Sequence, residues 1–161
     1  MNIEILCIGN LKEPYLKDAE KEYLKRLTPY CKVKVTELKE ERLPRDSGSA
    51  EEEKVRVLEG KSLINAAAKT EKAYIFALDM RGRQHTSEEF AEKLEGLALG
   101  GRPDIIFIVG GSLGLSEEVR EKTDEKISLS KMTFPHQIAR VILLEQLYRA
   151  KKISRGEPYH K

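Results

Sequence analysis

Two glycines that close the most hydrophobic stretch of this sequence, Gly110 and Gly111 after Asp104–Val109, are the first place to look for chemistry. Lacking side chains, they let the backbone come close to a ligand and present N–H and C=O groups to it. Two further segments follow strand-like runs in the same way: Leu78-Asp79-Met80-Arg81-Gly82, and Leu129-Ser130-Lys131-Met132-Thr133-Phe134-Pro135-His136. The Gly110 segment lacks the GxGxxG spacing of a dinucleotide site and the Lys-Ser/Thr pair of a P-loop, which disfavours ordinary nucleoside triphosphate binding. At the chain end, Pro158-Tyr159-His160 sets an aromatic face and a titratable ring beside basic residues, a combination suited to stacking on and orienting an RNA base. Of the other histidines, His85 reads as solvated in a polar loop, and His136 as capping or orienting the pocket from the start of a helix.

These segments need a scaffold that delivers them to one edge. Ile3 to Ile8 reads as a buried strand, and Glu13 to Leu27 as a helix with Pro14 near its start. Lys32 to Leu38 reads as a half-exposed strand and Ala50 to Lys69 as a helix. Ala73 to Leu78 is an apolar run typical of a strand covered on both faces, followed by a turn at Met80 to Gln84. Ser87 is the expected N-cap of a helix that Gly100 and Gly101 stop. Asp104–Val109 is the next strand, with a short helix from Ser116 through Lys122, a last strand at Lys126–Ser130, and a long helix from Phe134 to Lys152. The remaining tail, Ile153 to Lys161, should contribute little to folding. Strands alternating with helices predict an α/β fold with a mostly parallel sheet flanked by helices, whose ligands bind at the carboxyl ends of the strands.

The length of 161 residues fits one domain over residues 1–161, and 40% hydrophobic with 35% charged residues is a globular composition. Cys7 and Cys31 read as buried free thiols, and no Cys/His spacing predicts a metal site. No run approaches the roughly 20 apolar residues of a membrane span, and no leader-like start is present, so a cytoplasmic location is expected. Charge is uneven: residues 131–161 hold seven Lys and Arg against two Glu, while the rest hold 22 against 25 acidic residues. A basic end of this kind favours an anionic partner.

The string IVGGSLGL, followed by SLSKMTFPHQIARVILLEQLYRA and the terminal GEPYHK, resembles the SPOUT methyltransferases of the RlmH type, over essentially the full length. The resemblance implies a C-terminal trefoil knot, a homodimer, and S-adenosylmethionine held among the knot loops. It implies N3 methylation of a pseudouridine in 23S ribosomal RNA on the assembled ribosome. Carried over by position, the cofactor would lie against Leu78, Gly110, Gly111, Leu129, Ser130, Lys131, Met132, Thr133 and Phe134. Tyr159 and His160 would act on the RNA base, and Arg140 or Arg155 would favour the anion of the acceptor nitrogen. Lys161 stands where the family's tail commonly has Arg. Two other readings remain open: an RNA-binding module that does not use the cofactor, and an enzyme acting on small nucleotides.

Overall fold

In the computed structural model, which describes residues 1–159, the elements run β1 (Asn2–Ile8), α1 (Pro14–Leu27), β2 (Lys32–Leu38), α2 (Ser49–Ala67), β3 (Tyr74–Arg83), α3 (Ser87–Leu99), β4 (Asp104–Val109), α4 (Glu117–Glu121), β5 (Glu125–Ile127) and α5 (His136–Ser154). The strands form one sheet in the order β2-β1-β4-β3-β5, every pairing parallel. Parallel neighbours require crossovers, and the helices that supply them bury both faces of the sheet.

Alternation along the central strands decides which side chain goes to which face. Ile3, Ile5 and Cys7 of β1, with Ile105, Phe107 and Val109 of β4, pack against Leu27, Phe90, Leu94, Leu143, Leu144 and Leu147 from α1, α3 and α5. Leu6, Ile8, Ile106 and Ile108 face the other way, against Leu63 and Ala67 of α2 and Val119 of α4. Phe76 and Phe107 stack with ring centroids 4.9 Å apart in the first layer. Both cysteines are free and buried; burial pushes the Cys7 thiol up to about 12.

The structure shifts several expected boundaries. β3 does not stop at Leu78; it bulges and resumes, so that Leu78 and Arg83 both register against Ile127 of β5. Gly82 makes this possible, because a Cβ there would lie 2.6 Å from backbone atoms of Lys126 and Ile127. β5 shrinks to three residues, and residues 128–135 become a loop. Thr86, not Ser87, caps α3: its hydroxyl accepts from Glu89 N at 3.1 Å and its N–H donates to Glu89 Oε2 at 2.9 Å, a reciprocal capping box. His85 is not solvated. Its side chain is 9% exposed and its Nε2 lies 2.9 Å from Glu125 Oε1. Lys93 and Tyr74 also reach Glu125, and the three hydrogen bonds hold its carboxyl below the usual range although burial alone would raise it.

α2 and α4 touch across Gly60, where a Cβ would collide with the Ser116 hydroxyl and come within 3.2 Å of Val119 Cγ2. Gly60→Ala should therefore cost about 1–3 kcal/mol through overpacking, despite Ala being the better helix former. Urea denaturation checks this, and an unchanged or raised midpoint would contradict the close packing.

Candidate active site

The crevice between the ends of β1 and β4, where the connections change direction, is the usual ligand position in such sheets. Here α5 fills it: His136, Gln137 and Arg140 pack against Cys7, Gly9 and Val109, leaving about 10 Å³. Gln137 Oε1 accepts the Lys12 backbone N–H at 2.9 Å, fixing the start of α5 over the β1 end. The chain leading from β5 to α5 therefore crosses the ends of β3 and β4, and beneath it lies a cavity of about 770 Å³. The size suits a cofactor or a drug-sized ligand.

Three loops, Arg120 of α4 and the first turn of α5 make the walls. Leu78, Asp79 and Met80 come from β3, Val109 to Leu115 follow β4, Ile127 to Ser130 and Met132 to Pro135 follow β5, and His136 with Ala139 belongs to α5. Of the expected cofactor residues, Leu78, Gly110, Gly111, Leu129, Ser130, Met132, Thr133 and Phe134 meet here. Lys131 is exposed and is not part of the lining. Local hydrogen bonds shape the loop after β5: Ser130 Oγ accepts the Met132 N–H at 3.0 Å, and Ser128 Oγ donates to Ser130 O at 2.7 Å.

A side chain on Gly111 would press on Ile8 and Glu59, with contacts of 3.1 Å, while one on Gly110 would meet Gly114 and Leu115 at 2.9 Å. Their smallness lets the turn fold on itself and on the wall behind it. The turn closes with a 3.1 Å bond from Gly114 N to Gly111 O, and Gly114 takes a positive φ of 76°.

Among the described residues, three ionisable side chains line the cavity. Asp79 and Arg120 form an ion pair through Arg120 Nε, and Asp79 Oδ1 also accepts the Arg81 backbone N–H at 2.9 Å. Burial raises the Asp79 pKa, but these bonds outweigh it and the carboxyl stays below its ordinary value. The third residue, His136, has its pKa lowered by burial, with Lys12 adding to the effect and Glu40 opposing it. Its ring has no hydrogen-bond partner among the described residues, leaving its nitrogens open to a ligand. Arg120 gave no signal in sequence: Glu117–Glu121 reads as a solvated helix face, and only the fold brings it to the β3 end.

Arg140 and Tyr159 are both held by other residues of the chain. Arg140 is 3% exposed and lies behind the cavity wall, its guanidinium held by both carboxylate oxygens of Glu20 and, at 2.8 Å, by Glu37 Oε1. A cation so committed does not steady an anion in the cavity. The tail is docked rather than loose: Tyr159 packs edge-on against Tyr148 at 4.8 Å, Arg149 lies over its ring, and its hydroxyl donates to Glu145 at 3.2 Å. Burial beside Glu145 pushes the Tyr159 hydroxyl up to about 12. Tyr30 and Lys152 both bond Glu157, tying the segment before it. Tyr159 thus rests on the distal half of α5, about 9 Å or more along the helix from Ala139. His160 lies outside the described residues.

Among the described residues no group of His, Cys, Asp and Glu is arranged to hold a metal ion, and no helix is long and apolar enough to cross a membrane. A solved structure from Haemophilus influenzae Rd KW20, described as a probable methylase family protein, is similar over 99% of this chain and 70% of that one, with a TM-score of 0.56 at 12% identity. This similarity concerns the fold alone. Proteins named "Ribosomal RNA large subunit methyltransferase H" from Clostridium novyi and Bacillus cytotoxicus are each 50% identical over 161 residues, the full length of both chains in each case. The one from Pelotomaculum thermopropionicum is 51% identical over 159 residues, covering 99% of this chain and 98% of its own. A family model described as "Predicted SPOUT methyltransferase" matches residues 1–160, and with these full-length relatives it establishes that the chain belongs to the SPOUT methyltransferase family and is a methyltransferase.

Proposed function

We propose that this chain methylates N3 of a pseudouridine in 23S ribosomal RNA, using S-adenosylmethionine, as a homodimer of one-domain subunits acting on assembled ribosomes in the cytoplasm. The names of the full-length relatives support ribosomal RNA as the substrate class. The observation that carries the rest is the cavity at the carboxyl ends of β3, β4 and β5, in which all but one of the cofactor residues implied by the resemblance converge.

The donor set suits this cofactor. Leu78, Leu129, Met132 and Phe134 offer apolar surface to a purine, the loops after β4 and β5 offer backbone donors and acceptors to its edge and ribose, and Asp79, Arg120 and His136 offer polar partners to a zwitterionic amino-acid end. Bound there, the cofactor supplies an electrophilic methyl group on a sulfonium. The protein's share is to hold the acceptor nitrogen in line with it, and orientation of this kind is worth up to roughly 7–11 kcal/mol. The acceptor nitrogen of an imide must also lose its proton, for which His160 or solvent is the proposed acceptor.

Dimerisation is supported by the cavity mouth. Met80, Met132 and Phe134 are exposed there, Met132 by 73%, and a second subunit would cover this apolar rim. It would also give the tail a pocket to serve, since Tyr159 lies away from its own. The loop from β5 across β3 and β4 is the segment we read as threaded into the knot. Titration calorimetry with S-adenosylmethionine, followed by labelled methyl transfer onto ribosomes from a strain lacking this protein, tests the reading. Binding and transfer to 23S RNA are expected. A folded protein that releases no binding heat would instead be an RNA-binding module, and transfer to small nucleotides alone would indicate the third class. Sedimentation at micromolar concentration should give a dimer mass.

A further inference from the structure

Among the described residues, three charged side chains belong to buried residues: Arg140, Lys151 and Glu59. Both cations are met by carboxylates, Arg140 by Glu20 and Glu37, and Lys151 by Glu95 at 2.7 Å. Among the described residues Glu59, 4% exposed in the middle of α2, makes no ion pair with a Lys, Arg or His, and two more carboxylates, Glu40 and Glu41 from the segment after β2, act on it. Burial, assisted by these neighbours, raises its pKa, while the bond from the Glu41 backbone lowers it. A buried carboxylate without a counter-charge is costly to a fold.

Its position connects it to the cavity. Glu59 Oε1 accepts the Glu41 N–H at 3.1 Å, and Oε2 lies 3.1 Å from the place a Gly111 Cβ would take, immediately behind the turn that forms the cavity wall. The close contact of neighbouring Gly60 with Ser116 fixes the register of α2 that puts it there. Among the charges on the cavity itself, Asp79 and Arg120 cancel each other, and burial favours the neutral form of His136. In its ionised form Glu59 supplies a negative field through a wall one residue thick, while Arg56, whose Nε donates to Leu113 O of the same loop at 3.0 Å, is itself paired with Glu53.

We infer that Glu59 is a positioning residue that sets cofactor specificity, its carboxylate favouring the cationic methyl donor over the neutral product from behind the Gly110–Gly111 turn. The inference rests on reading the cavity as the S-adenosylmethionine site. That donor carries a sulfonium and an ammonium against one carboxylate, a net charge of +1. In the transfer the acceptor nitrogen's electron pair forms the new bond to the methyl carbon, the carbon–sulfur pair stays on sulfur, and the acceptor proton leaves for a base. S-adenosylhomocysteine is then a neutral thioether of almost unchanged shape. A charge in the wall distinguishes the two most where the sulfur sits close to the Gly110–Gly111 turn, because the Coulomb interaction falls with distance and is less screened inside the protein than in water. The attraction that helps load the donor thus ends when the methyl leaves, which favours release of the product.

The test is titration calorimetry of the full-length protein and of Glu59→Gln with S-adenosylmethionine and S-adenosylhomocysteine, with circular dichroism confirming the fold. Wild type should bind both. Glu59→Gln, which keeps the shape and an acceptor for Glu41 N–H, should weaken S-adenosylmethionine roughly fivefold while leaving S-adenosylhomocysteine within about twofold. Glu59→Asp should retain most of the preference. If Glu59→Gln is poorly folded, Glu59→Met removes the charge at similar volume and is expected to give the same shift in the affinity ratio. An equal loss for both ligands, or no loss for either, overturns the inference while leaving the cofactor reading intact. Absence of binding of either ligand to the folded wild type overturns both.

Discussion

Deleting residues 158–161 should lower methyl transfer to ribosomes on the order of a hundredfold, while S-adenosylmethionine affinity stays within about twofold of the full chain. The tail carries the ring and the aromatic face proposed to handle the acceptor base, and neither Pro158 nor Tyr159 lines the cavity of the same chain. The deletion will not be silent in stability. Tyr159 packs on Tyr148 and bonds Glu145, and an aromatic pair of this kind is worth about 0.5–1.5 kcal/mol, so a small drop in urea midpoint accompanies the loss of activity. A mixture with Gly111→Val chains, whose turn is distorted against Ile8 and Glu59 but whose tail is intact, separates action within a subunit from action across a dimer. Random pairing of two inactive chains gives half heterodimers with one competent site each, about a quarter of full activity. Full activity of the tail-deleted homodimer ends the proposal, and no recovery in the mixture confines the tail to its own subunit.

The second large effect is structural. Arg140→Ala should cost about 3–5 kcal/mol, because it leaves the paired Glu20 and Glu37 carboxylates without a counter-charge beside the buried Cys7. Arg140→Met with Glu20→Gln removes both members of the tighter pair and should recover much of that loss. Urea denaturation of the single and double variants measures the difference. A single variant that unfolds at the wild-type midpoint but no longer transfers methyl groups would return Arg140 to the catalytic role the structure withholds.

How far the sequence was legible follows from where each signal lies. β1 and β4 announce themselves because their residues are buried on both faces, and the loops after β3, β4 and β5 could be singled out because ligands gather at the carboxyl ends of parallel strands. β5 was misplaced because three residues carry no period, and what holds it is the backbone of Gly82 against Lys126 and Ile127. Thr86 was missed as a cap because Ser87 beside it is an equally good candidate by type. His85 looked solvated because its partner, Glu125, is 40 positions away and arrives only when β5 joins β3. The same holds for Arg120 with Asp79 and for Arg140 with Glu20, whose pairing is set by tertiary contact rather than spacing. Glu59 hid in a helix rich in Glu and Lys, and its only local mark was a glycine next to it in the helix interior, where glycine is costly.

The order of α5 after β5 matters to the newly made protein. A ribosome that has completed β1 to β5 has produced all five strands of the described sheet, yet the face bearing Ile5, Phe107 and Val109 still lacks Leu143, Leu144 and Leu147. Until those residues leave the ribosome the nascent chain exposes a greasy surface that invites aggregation or chaperone capture. Such a chain also lacks His136 and Ala139 from its cavity wall. A chain cut between β5 and Leu143 is therefore a sticky, inactive product, and a stop codon there should be as damaging as one far upstream.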